Sequence, residues 1–292
     1  MRLHDSDLID EARELWRARR GDPGDLPGIR SEERACGPFS LSEVEVLTPQ
    51  GAEQVGKPEG LYLTLTLEAL LHRRAAPFSA AVGAVAEQVE RLLPPEAEQV
   101  LVVGLGNRAV TPDAVGPRTA DTVLVTRHLV DRAPEVFGAF RPVSALAAGV
   151  LGNTGMESGE VVQAVVGALK PDAVIAVDAL CARSVRRLGS TVQLSNTGIA
   201  PGSGVGSARF ALTAETLGVP VVAVGVPTVV RAEVLAAQWG GQPEGQDDLA
   251  SLLVTPKEID ALVADVSKLL GYGISMALQT GLRLDDLEAL LS

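Results

Sequence analysis

The 292-residue chain is short of the residues on which many catalytic sites are built: two cysteines, three histidines and 3% aromatic residues in all. Cys36 and Cys181 stand far apart, which excludes a disulfide framework and fits a reducing compartment. His4, His72 and His128 are scattered and none follows residue 128, so a histidine-based triad or a zinc site is not expected. Basic charge is also scarce. Lys and Arg number 25 against 37 Asp and Glu, a net charge of −12, whereas a nucleic-acid binder needs a basic face for phosphate contacts. No uninterrupted apolar run reaches ~18 residues, and the start MRLHDSDLIDEARELW is charged from its first residues, so neither a membrane span nor a signal peptide is expected. These absences describe a cytoplasmic protein with no direct nucleic-acid or membrane partner and no cofactor or metal.

What is present is aliphatic. Hydrophobic residues make up 46% of the chain, enough for a large core. Residues 8 to 20 carry Leu8, Ile9, Ala12, Leu15 and Trp16 at helical spacing and read as a surface helix. Residues 21 to 60 are rich in Gly, Pro and Glu, with β-like pieces such as SEVEVL, and GLYLTLTLEALL begins with strand alternation. Residues 1 to 94 are therefore expected to form an N-terminal extension or arm. From 95 to 292 one α/β core is expected: the runs VLVVGL, AVIAVDAL and VPVVAVGV alternate with helical stretches at Thr119 to Arg132, Glu157 to Lys170 and Pro256 to Gln279. That alternation predicts a mostly parallel central sheet with helices on both faces, a three-layer α/β fold.

The stretch GLGNRAVTPDAVG, 104 to 116, follows the first of those strands. A dinucleotide turn needs a helix to start directly behind its second glycine. Thr111-Pro112 opposes that, because proline disfavours helical geometry in the residue before it. The turn instead delivers Asp113 beyond the carboxyl end of its strand, ahead of a helix starting near Pro117. In PDAVIAVDAL a second carboxylate, Asp178, is placed at the carboxyl end of another strand, and ligands of open α/β sheets gather outside those ends. Two adjacent carboxylates can share a proton and supply an acid and a base together. Helix capping by either residue is the competing structural reading. Cys181 reads as packing rather than as a nucleophile. The glycine-rich run 196 to 210 is a candidate oxyanion nest through Gly202, Ser203, Gly204 and Gly206, or a tight loop.

The segments GKPEGLYLTL, GLGNRAVTPDAVGP, RPVSALAAGVLGNTGMESGE, KPDAVIAVDAL, STVQLSNTGIAPGSGVGS and LVTPKEIDAL, in this order, resemble the spore germination proteases. The resemblance implies an endopeptidase that degrades small acid-soluble spore proteins in the spore core. It further implies a homotetramer of aspartic, metal-independent mechanism, with Asp113 and Asp178 as its catalytic pair. It also implies a phosphorylase/hydrolase-like fold similar to the hydrogenase maturation proteases, which hold nickel with two carboxylates and a histidine; that histidine is missing here. The resemblance implies, too, a zymogen with its processing junction between Asp7 and Leu8. The seven residues before it are expected to be loose, since so few bury little apolar area. Two positions depart from the family pattern, Ala200 where it has His and Arg231 where it has Asp. An impaired relative that binds spore proteins without cutting them, and a metal-dependent maturation protease, are the alternatives.

Overall fold

The computed structural model describes residues 6–20, 26–67, 78–200, 210–238, 249 and 252–291. Gly202, Ser203, Gly204 and Gly206 lie outside them. The strands that matter are β1 (Ile29–Cys36), β2 (Phe39–Val46), β3 (Gly60–Thr66), β4 (Val100–Leu105), β5 (Val143–Gly149), β6 (Ala173–Ala182), β7 (Thr191–Ser195), β8 (Val221–Arg231) and β9 (Leu253–Val254). The main helices are α1 (Ile9–Arg20), α2 (Pro49–Val55), α3 (Phe78–Leu92), α4 (Val115–Thr122), α5 (Ser158–Leu169) and α6 (Ile259–Leu278).

All nine strands form one sheet in the order β1-β2-β3-β7-β8-β6-β4-β5, with β9 on β8. The four aliphatic strands β5, β4, β6 and β8 are parallel, as their near-continuous apolar runs require. From β8 outward the sheet turns antiparallel through β7, β3, β2 and β1. Only two residues separate β1 from β2, and a connection that short can join only antiparallel neighbours. Strands from both sides of residue 94 thus share this sheet.

Alternation along the strands divides the interior between two faces. Leu63, Leu65, Val102, Ile175, Val177, Leu194 and Val224 face α3, α4 and α6 in the larger core. Leu101, Val103, Val174 and Ala176 face α5 on the other side, where α1 and α2 also cover Val44, Val46 and Tyr62. Helix α6 is long and apolar enough to cross a membrane. Its Val263, Leu269, Leu270 and Ile274 are, however, part of the larger core, so its hydropathy is that of a central core helix.

Two expectations need correction. The helical stretch 119–132 is two helices, α4 and Arg127–Arg132. The chain turns extended at Val123, where the Ser275 hydroxyl takes the Leu124 N–H and so competes for a donor that a continuous helix would use. Nor is α1 a surface helix. Ile9, Ala12 and Trp16 pack into the core against β2 and β3, and even Asp10 and Glu11 are buried.

Candidate active site

Strand β4 ends in the turn Gly104–Asn107, and the turn exists in this form because Gly106 has no side chain. Its φ of +110° is one that L side chains rarely adopt, and a Cβ there would lie 2.1 Å from the carbonyl oxygen of Asp113. The chain therefore folds back on itself, and the Asn107 N–H donates to Asp113 Oδ2 at 2.7 Å. Asn107 Oδ1 in turn accepts from the Ala109 N–H and from Asn153 Nδ2, both at 3.0 Å. The 3₁₀ turn Thr111–Asp113 is pinned by the Thr228 hydroxyl donating to the Pro112 carbonyl at 2.7 Å, and by Thr111 donating to Asp260 at 2.9 Å. Asp113 occupies a loop amide that a phosphate would need. The dinucleotide reading fails on that contact.

Asp178 arrives from β6. The β4–β6 pairing ends at Gly104 with Val177, so Asp178 is the first residue of β6 beyond that pairing. The strand itself continues to Ala182, not stopping at Asp178 as expected, because β8 stays paired with it through Ala182 and Val230. The carboxylate is 5% exposed and its Oδ1 accepts from the Ala179 N–H at 2.9 Å. Helix α4 packs against the other face of β6, over Val177. Gly104 and Gly116 let that helix meet the sheet backbone to backbone, since a Cβ on either would fall 2.2 Å from a carbonyl oxygen.

Asp113 and Asp178 line a common cavity of about 350 Å³, together with Asp7, Cys181, Thr228 and Thr255. A neighbouring cavity of about 260 Å³ shares Asp7 and Asp178 and adds Lys57, Tyr62, Gln193 and Ala200. Asp7 thus stands at both. This corrects the expectation of a loose leader as far as its last residues are concerned. Ser6 is 3% exposed and Leu8 is fully buried among Leu180, Ala182, Val230 and Leu235. Asp7 pairs with Cys181 like a strand residue, its N–H donating to the Cys181 carbonyl at 3.2 Å and its Oδ2 accepting the Cys181 N–H at 2.8 Å. Few residues suffice because they enter a groove already walled by the sheet. Burying one leucine completely stabilises by roughly 1.5–3 kcal/mol.

The surrounding ionisable groups are set chiefly by burial. Desolvation pushes the Lys57 amine below its ordinary range, while Asp7 and Glu11 pull it back up. The Cys181 thiol is raised to about 12, first by burial and then by Asp7, which leaves it protonated and unsuited to nucleophilic attack. Glu11 is 2% exposed and its carboxylate gathers the Arg183 N–H at 2.8 Å, the Ser184 N–H at 3.0 Å and the Ser6 hydroxyl. His128 is exposed. Among the described residues no three His, Cys, Asp or Glu side chains converge as a metal-ligand set. Ala200 lines the smaller cavity, and Arg231 is paired with Glu233 at 2.7 Å.

The family model described as germination protease matches residues 9–238. The chain belongs to the germination protease family. A germination protease of Caldanaerobacter subterraneus subsp. tengcongensis is 39% identical over 320 aligned positions, covering 98% of this chain and 97% of that one. One from Clostridium perfringens is 36% identical over 322 positions, 98% of each chain. One from Bacillus subtilis is 44% identical over 238 positions, 80% of this chain and 64% of that one. This chain is accordingly a peptidase of that family. The solved [NiFe] hydrogenase maturation protease HycI from Thermococcus kodakarensis is a looser likeness, with a TM-score of 0.38 and 18% identity over 64% of this chain and 98% of that one.

Sequence reasoning missed Lys57, Glu11 and Gln193. Lys57 follows Gly56, whose positive φ of 67° ends α2 and turns the chain towards the cavity. Gln193 left a faint signal: one amide side chain between Val192 and Leu194 in the strand TVQLS.

Proposed function

We propose that this peptidase is an aspartic-type endopeptidase that begins the degradation of small acid-soluble spore proteins during germination, in the cytoplasm of the spore core, with Asp113 and Asp178 as its catalytic pair. The observation that carries the reading is the shared cavity at the end of β4, into which two separate chain segments deliver one carboxylate each. With one proton between them, one carboxylate takes a proton from a water as its oxygen attacks the scissile carbonyl carbon, and the other gives a proton to the departing amine. With Asp178 buried and Asp113 half-buried, sharing is favoured because two neighbouring carboxylates cannot both ionise cheaply. No metal or cofactor enters the proposal. A homotetramer and an inhibitory leader ending at Asp7 complete it, both by family analogy.

Incubation of the full chain with a small acid-soluble spore protein, followed by mass mapping of the fragments, tests the reading. Discrete internal cuts are expected. Intact substrate across acid, neutral and mildly alkaline pH would reject it, and tight binding without cuts would favour an impaired relative, to which the Ala200 and Arg231 departures point.

A further inference from the structure

Gln193 lies on β7 between Val192 and Leu194, whose side chains enter the larger core. Alternation turns Gln193 to the opposite face, beneath the start of α1, where it lines the smaller cavity with Asp178 and Asp7. There its amide makes two bonds to the chain. Nε2 donates to the Asp7 carbonyl oxygen at 3.1 Å, and Oε1 accepts the Ile9 N–H at 2.7 Å. One planar side chain thus brackets the Asp7–Leu8 peptide bond, as a backbone amide of a neighbouring strand would. The opposite side of residue 7 is held by Cys181 of β6, and Leu8 fills an apolar pocket.

We infer that Gln193 is the residue that clamps substrate backbone and polarises the scissile carbonyl, and that residues 6 to 9 sit in the groove as a substrate segment would. The inference rests on the protease reading above. A substrate would present its scissile carbonyl where the Asp7 carbonyl lies and its second N–H beyond the cut where that of Ile9 lies. As the water oxygen bonds to the carbonyl carbon, the water's proton passes to one carboxylate and the carbonyl π pair moves onto its oxygen. Gln193 Nε2–H is already aimed at that oxygen and stabilises the negative charge as it forms. The pair then returns, the C–N bond breaks, and the leaving nitrogen takes a proton from the other carboxylic acid. The products are a carboxyl group and a free amine, with water consumed. This gives the site a carbonyl donor on a rigid strand, independent of the glycine-rich run at 202 to 206.

The test uses the peptide LHDSDLIDEA, the chain's own residues 3–12, and its analogue with an ester in place of the Leu8–Ile9 amide, which lacks the bracketing N–H. Against wild type, Gln193→Ala is expected to lower kcat by roughly 10²–10³-fold through the lost carbonyl donor and to raise KM by about 2–10-fold through the lost clamp. The ester should slow wild type by about 2–10-fold and leave Gln193→Ala unaffected, since the bond it removes is already gone. Gln193→Glu, which keeps the acceptor and loses the donor, should lose kcat yet stay sensitive to the ester. A kcat for Gln193→Ala within threefold of wild type, or an equal ester effect in both proteins, overturns the assignment.

Amide exchange at Ile9 in the full chain gives a readout that needs no catalysis. Loss of the Gln193 acceptor should accelerate it at least about tenfold, and an unchanged rate overturns the clamp. A wild-type chain inert towards both the peptide and a small acid-soluble spore protein overturns the protease reading and the carbonyl role together, and the exchange rate then decides the clamp alone.

Discussion

Gly116 stands so close to Val177 that a methyl group on its Cα would sit 2.4 Å from the Val177 carbonyl oxygen. The same methyl would meet the Leu105 carbonyl oxygen at 2.2 Å, so α4 has no direction in which to yield. Since α4 follows Asp113 and Val177 precedes Asp178, this contact joins the two backbone segments that carry the carboxylates. Gly116→Ala is expected to destabilise the fold by about 3 kcal/mol, the upper end for overpacking, because the obstacles are backbone atoms. Urea denaturation measures it. A loss below about 0.5 kcal/mol would mean that the helix can slide, and that the carboxylates are not held by backbone contact.

Asp113→Asn and Asp178→Asn each keep an acceptor oxygen for the N–H that now binds the carboxylate, from Asn107 and Ala179 respectively. Both should fold. Each is expected to lower kcat/KM on a spore protein by roughly 10²–10⁴-fold, the range for loss of a general acid or base. Because the pair acts as a unit, the double variant should be little worse than either single one. Additive losses, or one variant with full activity, would break the pair.

Glu11 ties Ser6 to the start of the chain segment after β6, and its titration should be felt in stability. Burial raises its pKa above the ordinary 4.5, against the opposing pull of Ser6, the Arg183 and Ser184 amides and Arg187. A carboxyl group whose pKa is raised by folding stabilises the fold fully below the unfolded value, and that contribution is lost as the pH rises through the folded one. Glu11→Gln cannot titrate. The Tm of wild type minus that of Glu11→Gln is therefore expected to shrink as the pH rises above the ordinary 4.5. A difference that widens with pH would show that the gathered donors, not desolvation, decide the ionisation of Glu11.

Removal of residues 1–7 takes Asp7 out of both cavities and frees the Cys181 N–H that it now occupies. Chains starting at Leu8 are expected to cut added spore protein at least about tenfold faster than the full chain, since without the Asp7 anchor Leu8 and Ile9 also yield the groove, which a tethered occupant otherwise holds at high effective concentration. Progress curves for the two forms decide this. Equal rates would mean that the leader leaves the groove without being cut.

The amino-acid pattern alone determined the parallel centre of the sheet, since VLVVGL, AVIAVDAL and VPVVAVGV are buried on both faces and can be little else. It also placed Asp113 behind a glycine turn and Asp178 on a core strand, because glycine spacing, proline and an acidic residue in an aliphatic run are local signals. It placed the end of β6 too early. The extension past Asp178 depends on pairing with β8, which no stretch of β6 encodes. Only the folded chain decided what meets the two carboxylates. Asp7 and Gln193 are 186 residues apart and touch because β7 lies beside β8 and β6 beyond it, beneath the start of α1. Such a contact leaves no periodicity to read: a hydrogen bond depends on atoms brought within about 3 Å, and at that separation in sequence only the packing of the sheet can bring them there.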